Sequence, residues 1–113
     1  MQIQINTDGH VQRSEALAEW VERDVQAKIG RFRDSITRVE IHLSDMGNGR
    51  NGEADKRCLL EARLAGRAPI GVSHDAAKLA DAVHGASDKL VRALDNTLGR
   101  ARDAHGRETI RGQ

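Results

Sequence analysis

The sequence predicts an α+β domain with the element order β-α-β-β-β-α: a two-layer sandwich in which a four-stranded mixed sheet carries two helices on one face. Three observations lead there. Apolar residues recur at helical spacing over residues 14–32 and again over 75–102, the pattern of amphipathic helices. Between and before these stretches, residues 2–6, 36–43, 56–64 and 68–73 alternate polar and apolar, as strands with one wet face do. A chain of 113 residues holds one core, so the covered face of the strands and the apolar stripes of both helices must meet.

In the first strand Ile3 and Ile5 share a face, and Asp8-Gly9 is expected to break it. Ser14 is placed as N-cap of the first helix, with Glu15 in the first turn, where the helix dipole favours an anion. Leu17, Val21, Val25, Ile29 and Phe32 form its inward stripe, with Trp20 at the edge and Gly30 loosening the last turn. In the second strand Val39, Ile41 and Leu43 face inward and Arg38, Glu40 and His42 outward. Residues 46–55, rich in glycine and asparagine, form a hairpin connection. The third strand turns Cys58, Leu60, Ala62 and Leu64 inward, and the fourth follows a turn at 65–67.

The last helix is expected to run from a cap at Asp75 to Arg102, burying Leu79, Ala82, Val83, Ala86, Leu90, Leu94, Thr97 and Ala101. The first strand, crossover helix and second strand make a parallel unit, and the others pair as antiparallel hairpins. Residues 1–102 are thus expected to be one domain and 103–113 a polar, frayed tail.

Composition narrows the function. Trp20 and Phe32 are the only aromatics, and neither lies in a predicted strand, which argues against a sheet that stacks bases. No apolar run approaches the roughly 18 residues that cross a bilayer, so no membrane partner is expected and the localisation expected is cytoplasmic. Cys58 is the single cysteine, a small core hydrophobe that fits a reducing compartment. The five histidines are scattered, and no zinc, dinucleotide or nucleophile-elbow motif is present. The expectation is a protein without catalytic residues, metal, cofactor or small-molecule substrate.

The net charge of +1 conceals polarity along the chain. Residues 1–27 hold two basic against five acidic side chains, 28–67 nine against six, 68–88 one against three, and 89–113 six against three. Two basic blocks that converge in the fold would create a local patch. Lys28, Arg31 and Arg33 crowd the end of the first helix, where cations also complement the dipole. Lys78, Lys89, Arg92 and Arg100 line one flank of the last helix, bordered by Asp81, Asp88 and Asp95. Two readings of this border stand together: a solvated face with an Asp88 to Arg92 pair, or a cationic flank with acids interleaved.

The element order, Ser14-Glu15-Ala16-Leu17 opening the first helix, Arg38-Val39-Glu40-Ile41 in the second strand, and Asp88-Lys89-Leu90 followed by Arg92 and Leu94 together resemble the bacterial ribosome hibernation-promoting factor and ribosome-associated inhibitor family, once called sigma-factor modulation proteins. The resemblance spans about residues 1–102 and is to the family's short form. It implies a fold like that of double-stranded-RNA-binding domains. It also implies binding to the small ribosomal subunit and its rRNA, across the channel used by messenger and transfer RNA. Carried over by position, it implies that Lys28, Arg31, Lys89 and Arg92 contact rRNA, with Arg100 and Arg102 in the family's basic C-terminal region. Where that family runs basic, this chain has Asp95 and Asn96. The interleaved aspartates motivate an alternative, a protein-interaction module of the same fold that has partly lost RNA binding.

Overall fold

The computed structural model describes residues 1–9, 11–47 and 54–99. The chain runs β1 (Gln2–Gly9), α1 (Glu15–Ile29), β2 (Ile36–Asp45), β3 (Lys56–Leu64), β4 (Ile70–Ala76) and α2 (Leu79–Leu94). A 3₁₀ turn (Gly30–Phe32) extends α1, and a π-helical turn (Asp95–Gly99) extends α2. The sheet order is β1-β2-β3-β4, with β1 parallel to β2 and the other neighbours antiparallel. This is the predicted α+β architecture.

Register explains which residues become core. Ile41 lies between Ile5 of β1 and Leu60 of β3, and Val39 between Ile3 and Ala62. Every second residue of β2 and β3 therefore meets an apolar neighbour on the same face, and Val39, Ile41, Leu43, Cys58, Leu60 and Ala62 are fully buried. Val21, Val25, Ile29 and Phe32 from α1 and Ala82, Val83, Ala86, Leu90 and Leu94 from α2 close over them. Each large side chain buried this way contributes about 1.5–3 kcal/mol. Burial in this apolar layer pushes the Cys58 thiol up to about 12, because a thiolate there would lose its hydration.

Local rules act as expected at α1, where the Ser14 hydroxyl accepts the Leu17 N–H at 3.1 Å. Gly30 stays right-handed and leads into the 3₁₀ turn that carries Phe32 into the core. The tight β3–β4 turn uses Gly66 at φ 70°, a backbone region glycine enters without steric penalty. Gly85 serves a different need: a Cβ there would collide with the His74 ring, so glycine is what lets α2 lie close to β4.

Several expected boundaries shift. The first strand does not stop at Asn6 but runs through Asp8-Gly9, because both residues pair with Ser44 and Asp45 of β2. The fourth strand spans Ile70–Ala76 instead of 68–73 and absorbs Asp75. That carboxylate faces Arg57 across the sheet, accepting from its Nε at 2.7 Å and its Nη2 at 3.1 Å. A bidentate charge-assisted pair outweighs a single capping bond, so α2 starts at Leu79, with Lys78 at the cap and no side-chain hydrogen bond there. The regular helix stops at Leu94, and the Asp95 N–H is shared between the Arg92 and Val91 carbonyls. Thr97 is half-buried as that stripe predicts; Ala101 and the expected tail lie outside the described residues.

Candidate nucleic-acid interface

Each helix has a polar row facing its neighbour, and the two rows match. On α1 Asp24, Lys28 and Arg31 follow at one-turn intervals; on α2 His84 and Asp88 are one turn apart and Asp95 lies two turns beyond. Residues at such spacings share a helix face. The helices run in the same direction, so the rows pair in order. His84 Nε2 lies 3.0 Å from Asp24 Oδ2, Lys28 Nζ lies 3.1 Å from Asp88 Oδ1, and Arg31 Nη2 lies 2.8 Å from Asp95 Oδ2. The Trp20 ring, 6.0 Å from that of His84, flanks the seam at the first pair, and the Arg31 guanidinium lies 4.5 Å above the Phe32 ring at the last.

Lys28 and Arg31 lie at the α1/α2 seam, and Arg92 is exposed on α2 one turn beyond Asp88. These three come together although 61 residues separate the last two in sequence. Lys89 does not join them on that side. Its position lies about 100° round α2 from Asp88, the residue that faces α1, and its Nζ reaches β4, donating to the Ser73 carbonyl at 2.9 Å. Arg92 makes no hydrogen bond or ion pair among the described residues. Arg100 and Arg102 lie outside the described residues.

Two features escape a reading of the chain one element at a time. Asp88 pairs with Lys28 and not with Arg92 as the i,i+4 rule suggested, because the neighbouring helix supplies a closer cation. The Asp24–His84 contact was also unforeseen. Its signal is the matched acid and base spacing on the two helices, which becomes legible only when both are placed side by side.

The opposite, open face of the sheet is charged too. The Arg38 guanidinium donates to Gln4 and to Glu40, the latter at 2.9 Å. Arg63 lies 3.8 Å from Glu40 and 3.4 Å from Glu61. The hydrogen bond from Arg57 holds the Asp75 carboxyl below the usual range, and Asp75 raises Arg57 in return. At the β2–β3 hairpin, Lys56 lies between Asp55 at 2.8 Å and Asp45 at 3.2 Å, which raises its own pKa. Among the described residues no cluster of three or more metal-ligating side chains occurs, and no helix is long and apolar enough to cross a membrane.

The model of the family described as sigma 54 modulation protein / S30EA ribosomal protein matches residues 3–102. None of the curated proteins matches the sequence. Two similar solved structures share the fold. The N-terminal domain of Thermus thermophilus Protein Y has a TM-score of 0.68 and 22% identity, covering 86% of this chain and 99% of that one. A ribosomal subunit interface protein from Coxiella burnetii has a TM-score of 0.68 and 24% identity, covering 88% of this chain and 99% of its own.

Proposed function

Since the chain belongs to the sigma 54 modulation protein / S30EA ribosomal protein family, we propose that it is a non-enzymatic, cytoplasmic ribosome hibernation factor. In this reading its helix layer docks on the small ribosomal subunit, in the channel used by messenger and transfer RNA, and blocks translation by occupancy. Lys28, Arg31, Lys89 and Arg92 contact rRNA phosphates, together with Arg100 and Arg102 of the C-terminal region.

The observation that supports the assignment of the surface is that Lys28 and Arg31 pair with Asp88 and Asp95, which stand four and three residues from Arg92 at helical spacing, in a protein whose net charge is only +1. RNA helices are recognised through phosphates and shape, and each lysine or arginine placed on a phosphate releases condensed counterions. The scarcity of aromatic side chains fits this mode and disfavours base stacking. Charge reversal of Lys89 and Arg92 together is expected to abolish co-sedimentation with ribosomes at moderate salt. Unchanged co-sedimentation would reject these residues as the site.

A second reading, a protein-interaction module that has partly lost RNA binding, draws on one observation. Three of the four described site cations already have partners within the chain. A pull-down dominated by a single non-ribosomal protein, without rRNA, would favour it over the first.

A further inference from the structure

The aspartates along α2 do not merely border the cations; two of them hold the cations of the other helix. From the Lys28–Asp88 and Arg31–Asp95 pairs we infer that Asp88 and Asp95 restrain polyanion binding by this face. They act as built-in counter-anions that neutralise Lys28 and Arg31 until a phosphate displaces them. The inference rests on the ribosome-binding reading and deepens it.

The physical case is competitive. A phosphate approaching Lys28 or Arg31 must displace a carboxylate within 3.1 Å. Both carboxylates are about half exposed, 50% for Asp88 and 52% for Asp95, so each pair is weak and exchangeable. Exchange nevertheless cancels much of the counterion release that drives generic binding, because the cation was already neutralised. A mobile or ill-fitting polyanion gains little from breaking the pairs. A preformed rRNA surface that also engages Arg92 gains several contacts at once, and these offset the same displacement cost. Asp81 supplies the comparison within the same helix: it is exposed and has no ion pair among the described residues, so its charge repels phosphate without sequestering a cation.

The test measures binding of the full chain to purified small ribosomal subunits and to an RNA duplex of arbitrary sequence, over a range of salt. Asp88→Asn with Asp95→Asn is expected to bind the arbitrary duplex about 10-fold tighter at moderate salt, with the slope of log K against log salt steeper by about 2, near 0.9 per freed cation. Its affinity for the small subunit should rise by a similar factor or more, because rRNA phosphates displace the same two carboxylates. Asp81→Asn should change duplex binding by less than about 2-fold. Each single variant, D88N or D95N, should give about half of the logarithmic gain and carries the test should the double variant unfold. Duplex binding unchanged or weakened in D88N/D95N, or a gain per charge no larger than that of D81N, would overturn the inference. A wild-type chain that ignores small subunits would count against the ribosome reading, while the duplex series would still decide what the two aspartates do.

Discussion

The helix layer and the open sheet face carry similar mixtures of charge, yet they use it differently. On the sheet, Arg38, Arg57 and Arg63 are paired with carboxylates of the same or adjacent strands, and Glu40, which serves two of them, is only 16% exposed. On the helices, Lys28 and Arg31 are matched with carboxylates 60 and 64 residues away that stand about half in water, and Arg92 is free of partners among the described residues. Embedded pairs fix a surface, whereas solvated pairs can be traded for phosphate. The exposure of the partners, not the number of basic residues, is what sets the helix layer apart from the sheet.

The largest expected effect breaks the comparison if it fails. Lys28→Glu with Arg92→Glu should weaken small-subunit binding by about 100-fold or more and flatten its salt dependence, while Arg38→Glu with Arg63→Glu should change it by less than about 3-fold, both read by co-sedimentation across salt. Next is the seating of the helix layer. Gly85→Ala drives a methyl into the His74 ring and should cost about 1–3 kcal/mol, seen as a lowered midpoint of thermal unfolding.

A smaller contrast compares single carboxylates. Glu40→Gln removes the partly buried charge that faces Arg38 and Arg63 and should destabilise by about 1 kcal/mol, whereas Asp88→Asn should cost less than about 0.5 kcal/mol, both by urea unfolding. The smallest concerns pH. Folding lowers the Asp75 pKa through Arg57, so this pair's stabilisation is complete above the ordinary carboxylate range and is lost as pH falls through the lowered value. Asp75→Asn should therefore be less stable than the wild type near neutrality, and the difference should vanish in strong acid, as unfolding midpoints between about pH 6 and 2 will report.

Most of the fold was legible because its signals are repetitive. The alternation of Val39, Ile41 and Leu43 with Arg38, Glu40 and His42 fixes one buried and one wet face, and the stripe from Leu79 to Leu94 fixes the covering helix. What stayed hidden depends on neighbours distant in sequence. Asp75 looked like a cap because local rules favour aspartate before a helix, and only the register that sets it opposite Arg57 shows otherwise. Asp88 looked like a partner of Arg92 by the same kind of local rule, and only the placement of α1 supplies Lys28. The candidate site was half legible for this reason: its cations could be named, but their carboxylate partners and the turning of Lys89 toward β4 could not.

The central claim is that the helix layer, not the sheet, faces RNA. A photo-crosslinking side chain placed at Asp81, exposed on α2, or at Leu59, 39% exposed on the open sheet, tests it directly when each variant is irradiated with small ribosomal subunits. Crosslinks to rRNA from position 81 and none from position 59 are the predicted result. Crosslinks from position 59 with position 81 silent would contradict it.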